Sequence, residues 1–296
     1  MTLLFSIPKF NKTARELVKS ARLKIGQVKV DRFLSGDFYV KLKTAVKNKK
    51  CYLLGGTIDN ELIQTLLLAH TLKKEGAKEI IALIPYLGYA RQDKNEKGQS
   101  LGVRWEGELF KAVGIKKVIV IDLHSKEDKK LFPIPIVSIN PYGILSNKIP
   151  KIFREASIVA PDYGAIDNAK ELKKSLKNKQ PIVYLEKKRV GENVILKKLI
   201  GKSGPKAIIV DDILDTGQTI IHVVEELKRE GVRAIIVVVT HALFSGKNWQ
   251  KIWKLGVQNI YCADTISLRP EVKKDKRIKV ISILPILNKY FSHHLN

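Results

Sequence analysis

A chain of 296 residues has room for one large or two ordinary domains with real cores, and a composition 45% hydrophobic and 28% charged excludes a disordered or low-complexity protein. There is no run apolar enough for a membrane span or a secretory leader, and two cysteines, Cys51 and Cys262, are too few for a disulfide framework; a cytoplasmic protein with buried, reduced thiols is expected. The net charge of +25, from 54 Lys+Arg against 29 Asp+Glu, favours polyphosphate ligands and anionic polymers alike, but lysine is spread in short groups with no basic tail or aromatic recognition module, which argues for solvated faces and against a nucleic-acid partner.

Strand-like apolar runs alternate with helical periodicity, which predicts βαβ units and largely parallel sheets flanked by helices. Near the start, Asp31-Arg32-Phe33-Leu34-Ser35-Gly36-Asp37 has the small and acidic residues of a hairpin turn, in which Phe33 is either a ligand contact or core. Cys51–Leu54 (strand), Asn60–Lys74 (helix), Glu79–Ile84 (strand), Val103–Val113 (helix) and Val118–Leu123 (strand) form a first series. Past the second of these strands stand Arg91 and Gln92: a guanidinium offers paired donors to phosphates, and a carboxamide supplies both donor and acceptor to a base or ribose. The other reading of Arg91 is an ion pair with Asp93 in a surface loop. Past the third strand stands His124, in Asp122-Leu123-His124.

Prolines and Gly143 punctuate the weakly patterned stretch from Phe132 to Pro150, and the domain boundary is placed near Ser138 to Tyr142, giving domains 1–140 and 141–296. The second series runs Ser157–Ala160, Ala165–Leu176, Pro181–Leu185, Ala207–Val210, Ile220–Arg229, Ala234–Val239, Trp249–Leu255 and Asn259–Ala263. Asp162 sits at its first strand end. In Glu186-Lys187-Lys188-Arg189, strand alternation puts Lys187 and Arg189 on one face and Lys188 on the other. The most informative string is Ala207-Ile208-Ile209-Val210-Asp211-Asp212-Ile213-Leu214-Asp215-Thr216-Gly217-Gln218-Thr219, a buried-type strand followed by an Asp/Thr/Gly turn and a helix. It reads as a ribose-phosphate cradle. Asp211 and Asp212 offer acceptors to sugar hydroxyls, while Gly217 lets the backbone close on a phosphate facing the N–H groups of the helix start.

That string resembles the signature of phosphoribosyltransferase-type folds. Ile84-Pro85-Tyr86-Leu87-Gly88-Tyr89-Ala90-Arg91-Gln92-Asp93-Lys94 resembles the ATP-site segment of the ribose-phosphate pyrophosphokinase family, which makes 5-phosphoribosyl 1-diphosphate (PRPP), and further matches recur in the family's order from Asp31 to Ile266. The resemblance implies two duplicated phosphoribosyltransferase-like domains. It implies that Lys187 and Arg189 are the catalytic pair, and that Arg189 with Asp211, Asp212, Asp215, Thr216, Gly217, Gln218 and Thr219 bind ribose 5-phosphate. Arg91 and Gln92, with Phe33, Ser35, Gly36 and Asp37 of a neighbouring subunit's hairpin, would bind ATP, and His124 and Asp162 would ligate Mg²⁺. The protein would be a homo-oligomer. Thr240-His241 and Ala263-Asp264-Thr265 would scaffold the ribose-phosphate side. The chain departs from the family at Leu34, Ser35 and Asp37, at Gln99 and Ser100, and at Val190-Gly191-Glu192, the pattern of a divergent member. These departures leave open a catalytically impaired regulatory homologue, and the +25 charge leaves open a PRPP-binding sensor; a phosphoribosyltransferase would leave the Arg91-Gln92 segment and the duplicated half unexplained. AMP formed from ATP and ribose 5-phosphate separates the synthetase from all of them.

Overall fold

Apolar, β-branched runs build two open sheets, each in its own unit. The computed structural model describes residues 2–125, 127–190 and 194–295, and the side chains of 187–190 and 194–197 lie outside that description. One unit comprises Met1–Ile139 with Leu284–Asn296, the other Asn140–Ile283.

In the first unit, β1 (Thr2–Ser6), β2 (Lys24–Ile25), β5 (Lys50–Leu54), β6 (Glu79–Ile84), β7 (Lys117–Ile121) and β8 (Ile136–Ile139) form a parallel sheet in the order β2-β1-β5-β6-β7-β8. Cys51–Leu54 and Ile80–Ile84 are buried without alternation, the pattern of strands covered on both faces. Helices α1 (Asn11–Ser20), α2 (Asn60–Lys74), α3 (Gly102–Ala112) and the short α4 (Asp128–Leu131) belong to this unit. A separate antiparallel hairpin, β3 (Val28–Arg32) with β4 (Phe38–Leu42), packs through β4 on α2. Val118–Leu123, read as strand, stops at Ile121 because Asp122 turns into the left-handed region at φ 48°.

The second unit has the order β11-β10-β9-β12-β13-β14-β15, formed by β9 (Ser157–Ala160), β10 (Ile182–Val190), β11 (Val194–Ile200), β12 (Lys206–Leu214), β13 (Ala234–Ala242), β14 (Val257–Ala263) and β15 (Ile278–Ile281). Its pairs are parallel except β10 with β11. Helices α5 (Tyr142–Ser146), α6 (Ile166–Leu176), α7 (Gln218–Arg229), α8 (Lys251–Lys254) and α9 (Pro270–Lys273) complete it. Apolar residues of β9, β12, β13 and β14, such as Val159, Ile209, Val237 and Ile260, form its core with Val224 and Leu227 of α7. β12 runs four residues beyond Val210, since Ile213 and Leu214 pair with His241 and Ala242 of β13; Asp211 and Asp212 therefore lie within the strand, and the turn opens at Asp215. β10 likewise extends through the basic trio to Val190.

The last helix, α10 (Leu284–His294), belongs to the first unit; the sequence placed residues up to 296 in the second domain and left open that the stretch Leu284–His293 packs back on the first half. The reason is packing: Leu287 and Phe291 are fully buried, Phe291 meets the Tyr52 ring edge-on at 4.9 Å, and Ser20 Oγ donates to Asn288 Oδ1 at 2.7 Å. Among the described residues no helix is long and apolar enough to cross a membrane. Cys51 and Cys262 are free and buried.

Candidate functional site

In the first unit the candidate residues follow the carboxyl ends of adjacent strands, where open α/β sheets bind ligands. After β5, the Thr65 hydroxyl donates to Gly56 O at 2.9 Å and accepts from Gly56 N at 3.1 Å. Thr57 Oγ1 then donates to Tyr86 O at 3.0 Å and accepts from Gly88 N at 2.7 Å, so the loop after β5 fixes the turn after β6. Arg91 and Gln92 are exposed at the end of this turn. Gln92 is anchored: its carbonyl accepts from Val103 N at 3.3 Å and its Oε1 accepts from Ser100 Oγ at 2.7 Å, while its side chain lies against Gly102. His124 is exposed past β7, beside a reciprocal pair in which Ser125 N donates to an Asp128 carboxyl oxygen and Asp128 N to Ser125 Oγ. Burial pushes Asp128 up to about 6, Ser125 and the charge of His124 oppose the rise, and the charge of Asp93, from the loop after β6, adds to it.

Phe33 is 58% exposed and Leu34 fully exposed, so Phe33 is not core, and its ring leans on Tyr39 at 4.7 Å. Gly36 takes the turn at φ 99°, Arg32 Nη1 donates to Gly36 O, and Ser35 Oγ donates to Asp37 Oδ2 at 2.8 Å.

In the second unit β9 pairs with β12, which brings Asp162, just past β9, within electrostatic reach of Asp211. Burial, then the charge and hydrogen bonding of Asp212, then the charge of Asp162 hold the Asp211 carboxyl well above the usual carboxylate range. Asp162 Oδ1 accepts from Ala165 N at 3.3 Å at the start of α6. The string then passes through Asp215 and Thr216 to Gly217, at φ 78°, which leads into α7 at Gln218 and Thr219. No side chain caps that helix start, so its first N–H groups face the turn. Gly217 has a second reason to lack a side chain: a Cβ there would sit 2.7 Å from Trp249 Cα. Asn248 Nδ2 straps the turn by donating to Thr216 O at 3.3 Å and to Gln218 Oε1 at 3.1 Å. His241 is buried with Nδ1 2.9 Å from Thr265 Oγ1, a scaffolding contact. The side chains of Lys187 and Arg189 lie outside the described residues; their backbone is strand, paired with Lys197 and Ile195 of β11.

Among the described residues no three or more His, Cys, Asp or Glu side chains form a protein-only metal cage. The accumulated negative charge around Asp211 is nonetheless suited to a divalent cation, and Mg²⁺ is normally held by one or two carboxylates with waters and phosphate oxygens. One residue was missed. Glu106 of α3 is fully buried behind the Arg91–Gln92 turn, and the only signal of it was its place on the helix's apolar stripe with Val103, Gly107 and Phe110.

Residues 2–114 match the N-terminal domain of ribose phosphate pyrophosphokinase, and residues 139–268 match the phosphoribosyl transferase domain. Ribose-phosphate pyrophosphokinase of Mycoplasmopsis pulmonis is 30% identical over 97% of this chain and 92% of its own. That of Bacillus subtilis is 30% identical over 96% of this chain and 91% of its own. The fold is that of a phosphoribosylpyrophosphate synthetase crystal structure from Mycobacterium smegmatis, with a TM-score of 0.87 over 99% of this chain and 98% of that one at 23% identity. With both domains in order and the identity running through nearly the whole of each relative, the chain belongs to the ribose-phosphate pyrophosphokinase family.

Proposed function

We propose that the chain transfers the β,γ-diphosphoryl group of ATP to the 1-hydroxyl of ribose 5-phosphate, giving PRPP and AMP. The observation that carries this reading is the near full-length match to curated ribose-phosphate pyrophosphokinases, which a phosphoribosyltransferase domain alone would not produce. Arg91 and Gln92 take the ATP phosphates and nucleoside, supported by their exposure on an anchored turn. Asp211 and Asp212 accept from the ribose hydroxyls, and the 215–219 turn with the start of α7 takes the 5-phosphate on backbone N–H groups. Catalysis of such a transfer rests on positioning and on neutralising charge. Lys187 and Arg189 supply cationic donors where charge develops on the transferring group, and Mg²⁺ would take Asp162 as a ligand in the second unit and His124 in the first, each considered within its own unit. The ion, when bound, screens the polyphosphate oxygens against one another and against the attacking hydroxyl.

The exposed Phe33 with Ser35, Gly36 and Asp37 completes the adenine end of a neighbouring subunit's site, so the working enzyme is a homo-oligomer, and it works in the cytoplasm. A product assay with ATP, ribose 5-phosphate and Mg²⁺ tests the activity: PRPP and AMP in equal amounts are expected. ATP hydrolysis to ADP, or no turnover at all, overturns it.

A further inference from the structure

The Arg91–Gln92 turn is gripped from behind by α3. Gln92 is tied to Ser100 and Val103 as described, and the Trp105 ring meets the Tyr89 ring edge-on at 5.0 Å. Between these holds lies Glu106, with no exposed surface and neither carboxyl oxygen in a hydrogen bond of normal geometry. The polar groups near enough to oppose its burial are the Thr57 side chain, which itself pins Tyr86 and Gly88, and the Tyr89 backbone. We propose that Glu106 is a positioning residue for nucleotide binding: its carboxyl, enclosed between Thr57 and Tyr89, sets where the turn carries Arg91 and Gln92. This rests on the assignment of those two residues to ATP.

Burial holds Glu106 up to about 8, and no charged side chain is among the causes. The ionisable groups on the surrounding elements are Tyr86, Tyr89, Arg91, Asp93 and Lys94 of the turn, Asp59 and Glu61 beyond Thr57, Asp128, Lys129 and Lys130 of α4, and Lys111, Arg104 and Glu108 of α3, the last two paired with each other at 2.9 Å. Glu106 is therefore a neutral acid at pH 7 that ionises in mildly alkaline solution. An enclosed carboxylate with only the Thr57 side chain and the Tyr89 backbone to offset its burial is strongly disfavoured, so ionisation favours movement of the Tyr89 side of its enclosure. Arg91 and Gln92 move with it.

The test follows the KM for ATP from about pH 6.5 to about 9 at saturating ribose 5-phosphate, in wild type, Glu106→Gln and Glu106→Leu, beside the tryptophan emission of the unliganded proteins. In wild type the KM for ATP should rise by up to about tenfold one unit above the titration, with emission changing over the same range. Glu106→Gln, always neutral and the same shape, should keep the wild-type KM at pH 7 and flatten both profiles relative to wild type. Glu106→Leu, without the polar contact, should show a raised KM at every pH. A Glu106→Gln profile that follows wild type in KM and in emission overturns the proposal. Arg91→Ala separates the two levels. If it leaves the KM for ATP unchanged, the assignment of the turn to ATP has failed and the proposal falls with it; if it raises the KM while Glu106→Gln still follows wild type, only the positioning role has failed.

Discussion

A lysine aimed at charge that develops only in the transition state shows itself in kcat rather than in KM. Lys187→Ala should lower kcat by about 10²–10³, roughly 2.7–4 kcal/mol, with smaller changes in KM. Arg189→Ala should behave alike, and Lys188→Ala, on the other face by strand alternation, should keep most activity. Steady-state kinetics of the three variants decide it: damage confined to Lys188→Ala would mean the register is wrong by one. Glu106 leaves a second signature, in stability. Its folded-state pKa of about 8 lies above the usual 4.5, so between those values the folded chain keeps a proton that the unfolded chain has released. Stability then falls as pH rises, by about 1.4 kcal/mol per unit across that window, and levels off above it. Glu106→Gln should therefore raise the melting temperature more at pH 8 than at pH 5, which differential scanning calorimetry reads directly. Neither Glu106 nor the elevated Asp211 was legible in the sequence as a perturbed group, because a carboxylate on paper is a solvated charge until packing takes its water away.

At the scale of elements, strands were legible where apolar β-branched residues ran unbroken, as in Ala207–Val210, and were cut short where a polar residue interrupted the pattern. Asp211 and Asp212 ended the reading of β12, yet the ladder to His241 and Ala242 continues it. β15, buried only at Ile278 and Ile281 with Lys279 and the half-exposed Val280 between, has no alternation to detect. The turn at Gly217 was legible as a phosphate loop but not as a packing site. Gly217→Ala combines a positive φ with a Cβ against the Trp249 backbone, and should cost about 1–3 kcal/mol, measured as a lower midpoint in urea. An unchanged midpoint would mean that the Trp249 segment yields freely. The β3–β4 hairpin makes a different kind of forecast. If Phe33 serves a neighbour, mixing inactive Phe33→Ala with inactive Lys187→Ala protein should restore activity, since hybrid assemblies pair an intact hairpin with an intact catalytic strand. No recovery after demonstrated subunit exchange would show that each chain serves itself.

At the scale of the whole molecule, alternating βαβ periodicity made largely parallel sheets legible, and the resemblance of the segments to a known family implied two such domains, but the strand orders were not legible. Nor was the place of α10, because nothing local distinguishes a helix that continues its own unit from one that returns to an earlier one. Only the partners tell: Phe291 meets Tyr52 of β5, and Asn288 meets Ser20 of α1. Phe291→Ala should cost about 3–5 kcal/mol, and hydrogen exchange should show the loss in β1 and β5 while β12 and β13 stay protected. Uniform loss across both sheets would mean that the units unfold as one. The return of α10 also imposes an order of events on a nascent chain. Since Asn140–Ile283 lies between the two parts of the first unit, the later-encoded unit has all its strands before the earlier one has its last helix. The earlier unit must wait, with Tyr52 and its neighbours uncovered, until translation reaches Leu284, which makes that interval the one in which a chaperone or an unwanted self-association would find the chain most open.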